Sequence, residues 1–117
     1  MTMASNVLTG LVAFLHVYFL VLEMFLWAKP TGMRVFKRTL AEQESTKVLA
    51  ANQGLYNGFL AAGLVWSYWA GSDVRVFFLV CVVVAGLYGA ATAARSILFA
   101  QALPAAAALT VTLLACR

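Results

Sequence analysis

Four apolar stretches, each about as long as a bilayer core requires (~20 residues), take up most of this chain. They run over residues 6–28, 48–69, 74–93 and 96–116, and few charges interrupt them. Hydrophobic residues make up 64% of the 117 positions and charged ones 10%. A soluble domain of this size has too little interior to hide that much apolar surface. Lipid offers the backbone no water, so each stretch has to close its own hydrogen bonds as a helix. The sequence therefore reads as all-α: one domain over residues 1–117, an integral membrane bundle of four transmembrane helices.

The basic residues give the orientation. The connection over 29–47 holds Lys29, Arg34, Lys37, Arg38 and Lys47, and the third connection holds Arg95; the other side has Arg75 and Arg117. Positive charge gathers on the cytoplasmic side, which places connections one and three inside and both termini outside. The net charge of +4 is thus topological. No motif for nucleic acid accompanies it, and none is expected as a partner. Cys81 and Cys116 lack CxxC spacing and read as small apolar side chains. No basic segment precedes the first apolar run and no small-residue cleavage site follows it, so residues 6–28 read as a retained span.

The 29–47 connection is the long one. Thr39-Leu40-Ala41-Glu42 fits a capping box, in which the threonine oxygen and the glutamate carboxylate satisfy backbone donors at a helix start. The second helix is expected to begin near Leu40 and to enter the membrane unbroken. A short interfacial segment around Val35 and Phe36 is the competing picture.

Polar residues recur near the cytoplasmic ends of the spans. Glu23 lies close to the end of the first, and Asn52, Gln53, Tyr56 and Asn57 in the first ten residues of the second. Tyr88 lies near the end of the third; Arg95 and Gln101 sit at the start of the fourth. At 1.5 Å per residue they share a layer roughly 5–15 Å below the inner surface. His16 is deeper, seven residues from Glu23 and on the same helix face. An intramembrane carboxylate costs roughly 2.5–3.5 kcal/mol, so Glu23 should face protein or a wet cavity. These residues are the candidate site: a polar pocket opening inward.

A plainer reading stands beside it. Polar side chains in membrane bundles often only fasten helices together, at ~0.6 kcal/mol apiece. Gly54 and Gly58 form a GxxxG spacing, and Gly86, Gly89, Ala90 and Ala93 a small-residue seam; both admit close helix contact. His16, the one histidine, is more often a satisfied packing residue, and no metal site is expected. Pro104 removes a helical hydrogen bond beside Gln101 and predicts a kink. Trp66, Tyr68 and Trp69 read as an interfacial belt.

The string K-V-L-A-A-N-Q-G-L-Y-N-G-F-L-A-A-G-L (47–64), with H-V-Y-F-L-V-L-E-M-F-L-W (16–27), L-Y-G-A-A-T-A (87–93) and Q-A-L-P-A (101–105), resembles one family over nearly the whole chain. It is the small bacterial inner-membrane family known as domain of unknown function thirteen-hundred-and-four. That resemblance implies four membrane helices, a multi-pass place in the inner membrane, and no settled activity. The chain is also similar to the MAPEG superfamily, whose second helix carries a basic residue, an asparagine, an acidic residue and a tyrosine that contribute to binding glutathione. Lys47, Asn52 and Tyr56 fall in similar places, and Arg95 looks like the arginine near the start of helix four; the acidic position falls on Leu55. This likeness implies a homo-oligomer (a trimer or a dimer) with sites between subunits. Small multidrug transporters are similar in size and in one buried glutamate on helix one, here Glu23.

Three functions follow as expectations. The first is an inward-facing intramembrane pocket for a lipophilic or amphipathic small molecule, with Arg95 and Lys47 drawing an anionic head. The second is a proton-coupled transporter using Glu23, and the third a structural membrane subunit. Tyr56 or Tyr88 could donate a proton in an enzyme. No nucleophile–base pair or cofactor motif accompanies them, so the cofactor is unknown and catalysis is left open.

Overall fold

The computed structural model describes residues 1–116; Arg117, counted above among the outer basic residues, lies outside them. The described residues are mostly helical, without a strand: α1 Met3–Met24, α2 Pro30–Phe36, α3 Leu40–Ala70, α4 Ser72–Thr92, a π-helical turn Leu98–Ala102 and α5 Leu103–Ala115. Three helical stretches are long and apolar enough to cross a membrane, namely Met3–Met24, Ser72–Thr92 and Leu98–Ala115. The sequence reading counts four. With 31 residues α3 is about 46 Å long, ample for a bilayer. Its own amides and the charged residues of its first turns keep its hydropathy below that of the other three.

The helix ends follow local chemistry. At α3, Glu42 N–H donates to Thr39 Oγ1 (3.2 Å) while Thr39 N–H donates to Glu42 Oε1 (3.0 Å). The capping box is therefore formed, and the helix runs unbroken from Leu40. The Thr39 N–H bond foremost, and then a second bond from Thr39 Oγ1 to the same carboxylate oxygen (3.0 Å), hold the Glu42 carboxyl below its ordinary range. A short helix over Val35 and Phe36, α2, is present beside the unbroken α3. Pro30 opens α2, and Lys37 closes it in the left-handed conformation (φ 55°). Helix α1 stops at Met24, four residues before the expected end, and Phe25–Lys29 form turns. The residue before a proline resists helical conformation, and the carbonyl of Trp27 is taken by Gln43 Nε2 at 2.7 Å. Pro104 sits in the first turn of α5, directly after the π-helical turn. The wider turn relieves the clash between a proline ring and the carbonyl four residues back, which is the irregularity the proline predicts.

The chain divides into two compact units, and the division passes through α1 and α3. One unit comprises Met1–Leu15 with the chain from Leu60 onward; the other is His16–Phe59. In the first, the start of α1, the end of α3, α4 and α5 bury Val12, Leu64, Leu79, Val82, Ala105 and Ala108 among one another. The seam on α4 does what small residues allow: a Cβ on Gly86 would come within 2.8 Å of the Ala102 backbone nitrogen. In the second unit Gly54 meets the end of α1 in the same way, since a Cβ there would come within 2.6 Å of Met24 Cγ.

Candidate functional site

Within the His16–Phe59 unit, the end of α1, the Phe25–Lys29 turns and the first half of α3 line an open cavity of about 430 Å³. Helix α3 is held there by its amide and hydroxyl groups. Gln43, fully buried, donates to the Trp27 carbonyl, and Trp27 Nε1 donates to Thr46 Oγ1 at 3.1 Å. The Trp27 ring also packs against Phe36, 4.6 Å between centroids. These contacts pin the turns against α3, and the space left alongside them is the cavity.

Its lining has three chemical characters. Met24, Phe25, Trp27, Val48 and Ala51 make the wall largely apolar. Lys29, Lys47 and Glu44 supply charge, with Lys47 Nζ 3.4 Å from Glu44 Oε2. Both members of that pair are more than half exposed, so its energy is small and either can turn to a ligand. Glu23 is the polar group set furthest into the helix. It is half-buried, and its Oε1 accepts a hydrogen bond from Asn57 Nδ2 at 2.5 Å. Asn57 is itself buried, on the turn of α3 that Gly54 and Gly58 hold close to Leu20 and Met24.

The sequence-predicted site residues separate into several groups. Glu23 and Asn57 are brought together, and Glu23 with Lys47 lines the cavity. Asn52, Gln53 and Tyr56 lie on the exposed side of α3 and outside the lining. His16 is fully buried, with its ring edge-on to Phe19 at 5.4 Å. Tyr88 and Arg95 are exposed, and Gln101, half-buried, lies in the π-helical turn of the other unit. Gln43, Trp27 and Lys29 were not singled out from the sequence. The signal for Gln43 was present: it is the polar residue seven positions before Ala50 and eleven before Gly54, on the face those small residues mark.

A second polar cluster, in the other unit, was missed altogether. Arg75 is the largest fully buried side chain. Its Nε donates to Ser67 Oγ (3.0 Å), and its Nη1 donates to Ser5 Oγ (3.0 Å) and Asn6 Oδ1 (2.7 Å). Ser67 passes its own proton to the Leu64 carbonyl; Thr112 gives its to the Ala108 carbonyl, which leaves Ser5 to donate to Thr112 at 2.6 Å. The Tyr68 ring lies over the guanidinium at 4.4 Å, and its hydroxyl donates to the Asn6 carbonyl. Tyr68 is thus more than a belt residue, and Arg75 more than a topological charge.

A family model described as "Protein of unknown function (DUF1304)" matches residues 10–113. The chain belongs to that family. An "Uncharacterized protein YpaA" of Lactococcus lactis subsp. lactis (strain IL1403) is 32% identical over 106 residues, covering 86% of this chain and 89% of the relative. No solved structure matches. These matches carry the family over nearly the whole chain; they lend nothing to the likeness with the MAPEG superfamily.

Proposed function

We propose that this DUF1304 chain is a multi-pass inner-membrane protein that binds an amphipathic small molecule in the cavity beside Glu23. One observation carries the reading: a half-buried carboxylate, held by a buried asparagine, faces a 430 Å³ space with an apolar wall and two lysines. Helix-bundle cavities of this size and mixed lining are ordinary ligand sites. The apolar wall suits a hydrocarbon portion, Lys29 and Lys47 an anionic head, and the Glu23–Asn57 pair a hydroxyl or amide in the ligand. In this reading residues 48–69 of α3 are the fourth crossing, which returns both termini to the outer side.

The exposed row of α3 fits the same picture. Asn52, Gln53 and Tyr56 are open in a single chain. An amide facing lipid has no water to bond, and asparagine and glutamine each carry both donor and acceptor. The occupant that matches such a row is the same row on a second copy, so the protein is a homo-oligomer joined along α3. The bilayer is its other partner.

Trp27 reports on the cavity. In a chain with Trp66 and Trp69 replaced by phenylalanine, a bromine-labelled fatty acid should quench Trp27 saturably. Ala51→Trp, repeated with Trp27 excited against a Trp27→Phe control, should abolish that quenching. Linear, non-saturating quenching in both proteins would remove the proposal. Proton-coupled transport is the second reading, favoured by the position of Glu23 alone. It requires Glu23→Gln to stop proton-driven flux in liposomes.

A further inference from the structure

The Arg75 cluster poses a problem that the Glu23 cavity does not address. A guanidinium carries five N–H donors and stays charged. Three are used on neutral oxygens of Ser67, Ser5 and Asn6, while Nη2 is buried with no hydrogen-bond acceptor. Among the described residues of this unit the one acidic side chain is Asp73, which is exposed. It lies two positions from Arg75 on the same helix, a spacing that points the two apart. Among the described residues of its unit the buried cation therefore has no carboxylate side chain as partner, an expensive arrangement in a membrane protein.

One face of the guanidinium is covered by a single ring. Tyr68 lies face-on over the guanidinium while remaining 42% exposed. Its hydroxyl rests on the Asn6 carbonyl, above a notch left by Gly10, where a Cβ would come within 3.0 Å of the tyrosine oxygen. A rotation of Tyr68 breaks one hydrogen bond and clears that face of the guanidinium. Trp66 and Trp69, both exposed, flank it on α3. Tryptophan and tyrosine settle at lipid headgroup level, which fixes what lies outside the cover: phosphodiester oxyanions.

We infer that Arg75, beneath Tyr68, is a recognition site for a phosphate oxyanion at the membrane surface, with the tyrosine ring as its lid and a lipid phosphodiester as its source. When the lid is in place the ring face holds the cation. When it swings away, the two N–H bonds of Nη2 take a phosphate oxygen as charge-assisted hydrogen bonds. Nε and Nη1 keep their serine and asparagine partners throughout, so the helices stay clasped while the site opens. This inference does not use the α1–α3 cavity.

The test is native mass spectrometry of the full chain released from nanodiscs of phosphatidylglycerol, with thermal stability measured in parallel. Tyr68→Ala and Gly10→Val, which remove or displace the lid and leave Arg75 untouched, should raise lipid retention by about tenfold. Arg75→Lys, which keeps the charge and loses Nη2, should return retention to background in either lid variant. Equal retention across these proteins would overturn the inference. In lipid-free detergent, inorganic phosphate and a short-chain phosphatidylglycerol are compared on Tyr68→Ala. Stabilisation by the lipid alone supports the assigned source. Stabilisation by both supports the oxyanion site with free phosphate as a second source. Stabilisation by neither refutes it.

Discussion

Glu23 and Arg75 set the same physical problem in the two units, a charged group on a helix made for lipid, and the surroundings answer it differently. Around Arg75 three other helices, α1, α3 and α5, contribute hydroxyls, an amide oxygen and an aromatic face. Each of those hydroxyl protons has a destination, and the side chain is fully buried. Glu23 has one buried amide from one neighbouring helix, is half exposed, and opens on a cavity. A charge enclosed by neutral dipoles clasps helices and meets a ligand only when its cover moves; a charge left half-satisfied beside empty space is open to one already. Substitutions can separate the two.

The largest effect is expected from Arg75→Ala. It leaves Ser5, Ser67 and Asn6 without their donor and opens a cavity where the largest buried side chain stood. The loss should be roughly 3–5 kcal/mol in a denaturant titration of the reconstituted protein. A change below about 1 kcal/mol would mean that the clasp is ornamental. Next comes Gly54→Leu, which drives a side chain into Met24 and Glu23 and should cost about 1–3 kcal/mol while distorting the cavity. If binding survives it unchanged, the cavity is not the site.

Glu23→Gln should be nearly silent in stability, within about 1 kcal/mol, since an amide oxygen still accepts from Asn57. Binding of the amphipathic ligand should fall nonetheless, and that split between stability and binding is what distinguishes the open charge from the closed one. The smallest effect concerns the water-facing start of α3. Because the Thr39 bonds hold the Glu42 carboxyl below its ordinary value, its contribution is full above about pH 4.5 and fades as the pH falls through the lowered value. Hydrogen exchange at residues 40–44 should accelerate in that acid window, whereas residues around Arg75 should not respond.

Much of this was legible in residue types. The capping box at Thr39, the small residues of α3 and α4, and the irregularity before Pro104 are local signals, and each appears where local chemistry puts it. Glu23 could be read as needing a partner because the cost of a carboxylate in lipid is independent of fold. Which amide it meets was not readable, since Asn52, Gln53 and Asn57 differ only in the angle at which they leave α3. Gly54 and Gly58 set that angle, and they turn Asn57 inward and leave the others out. The Arg75 cluster was illegible for another reason. Its partners Ser5, Asn6, Ser67 and Thr112 are dispersed along the chain, small and individually unremarked, and only tertiary packing gathers them. Charge position alone made Arg75 look like a topological marker.

The central claim is that the space beside Glu23 is occupied in the cell, and native mass spectrometry of protein taken directly from its membranes addresses it most directly. Wild type should carry a bound amphipathic molecule of discrete mass. Ala51→Trp, which fills the cavity from α3, should carry none, while Arg75→Lys, in the other unit, should keep it. A discrete mass retained equally by wild type and Ala51→Trp, or absent from both, would contradict the account.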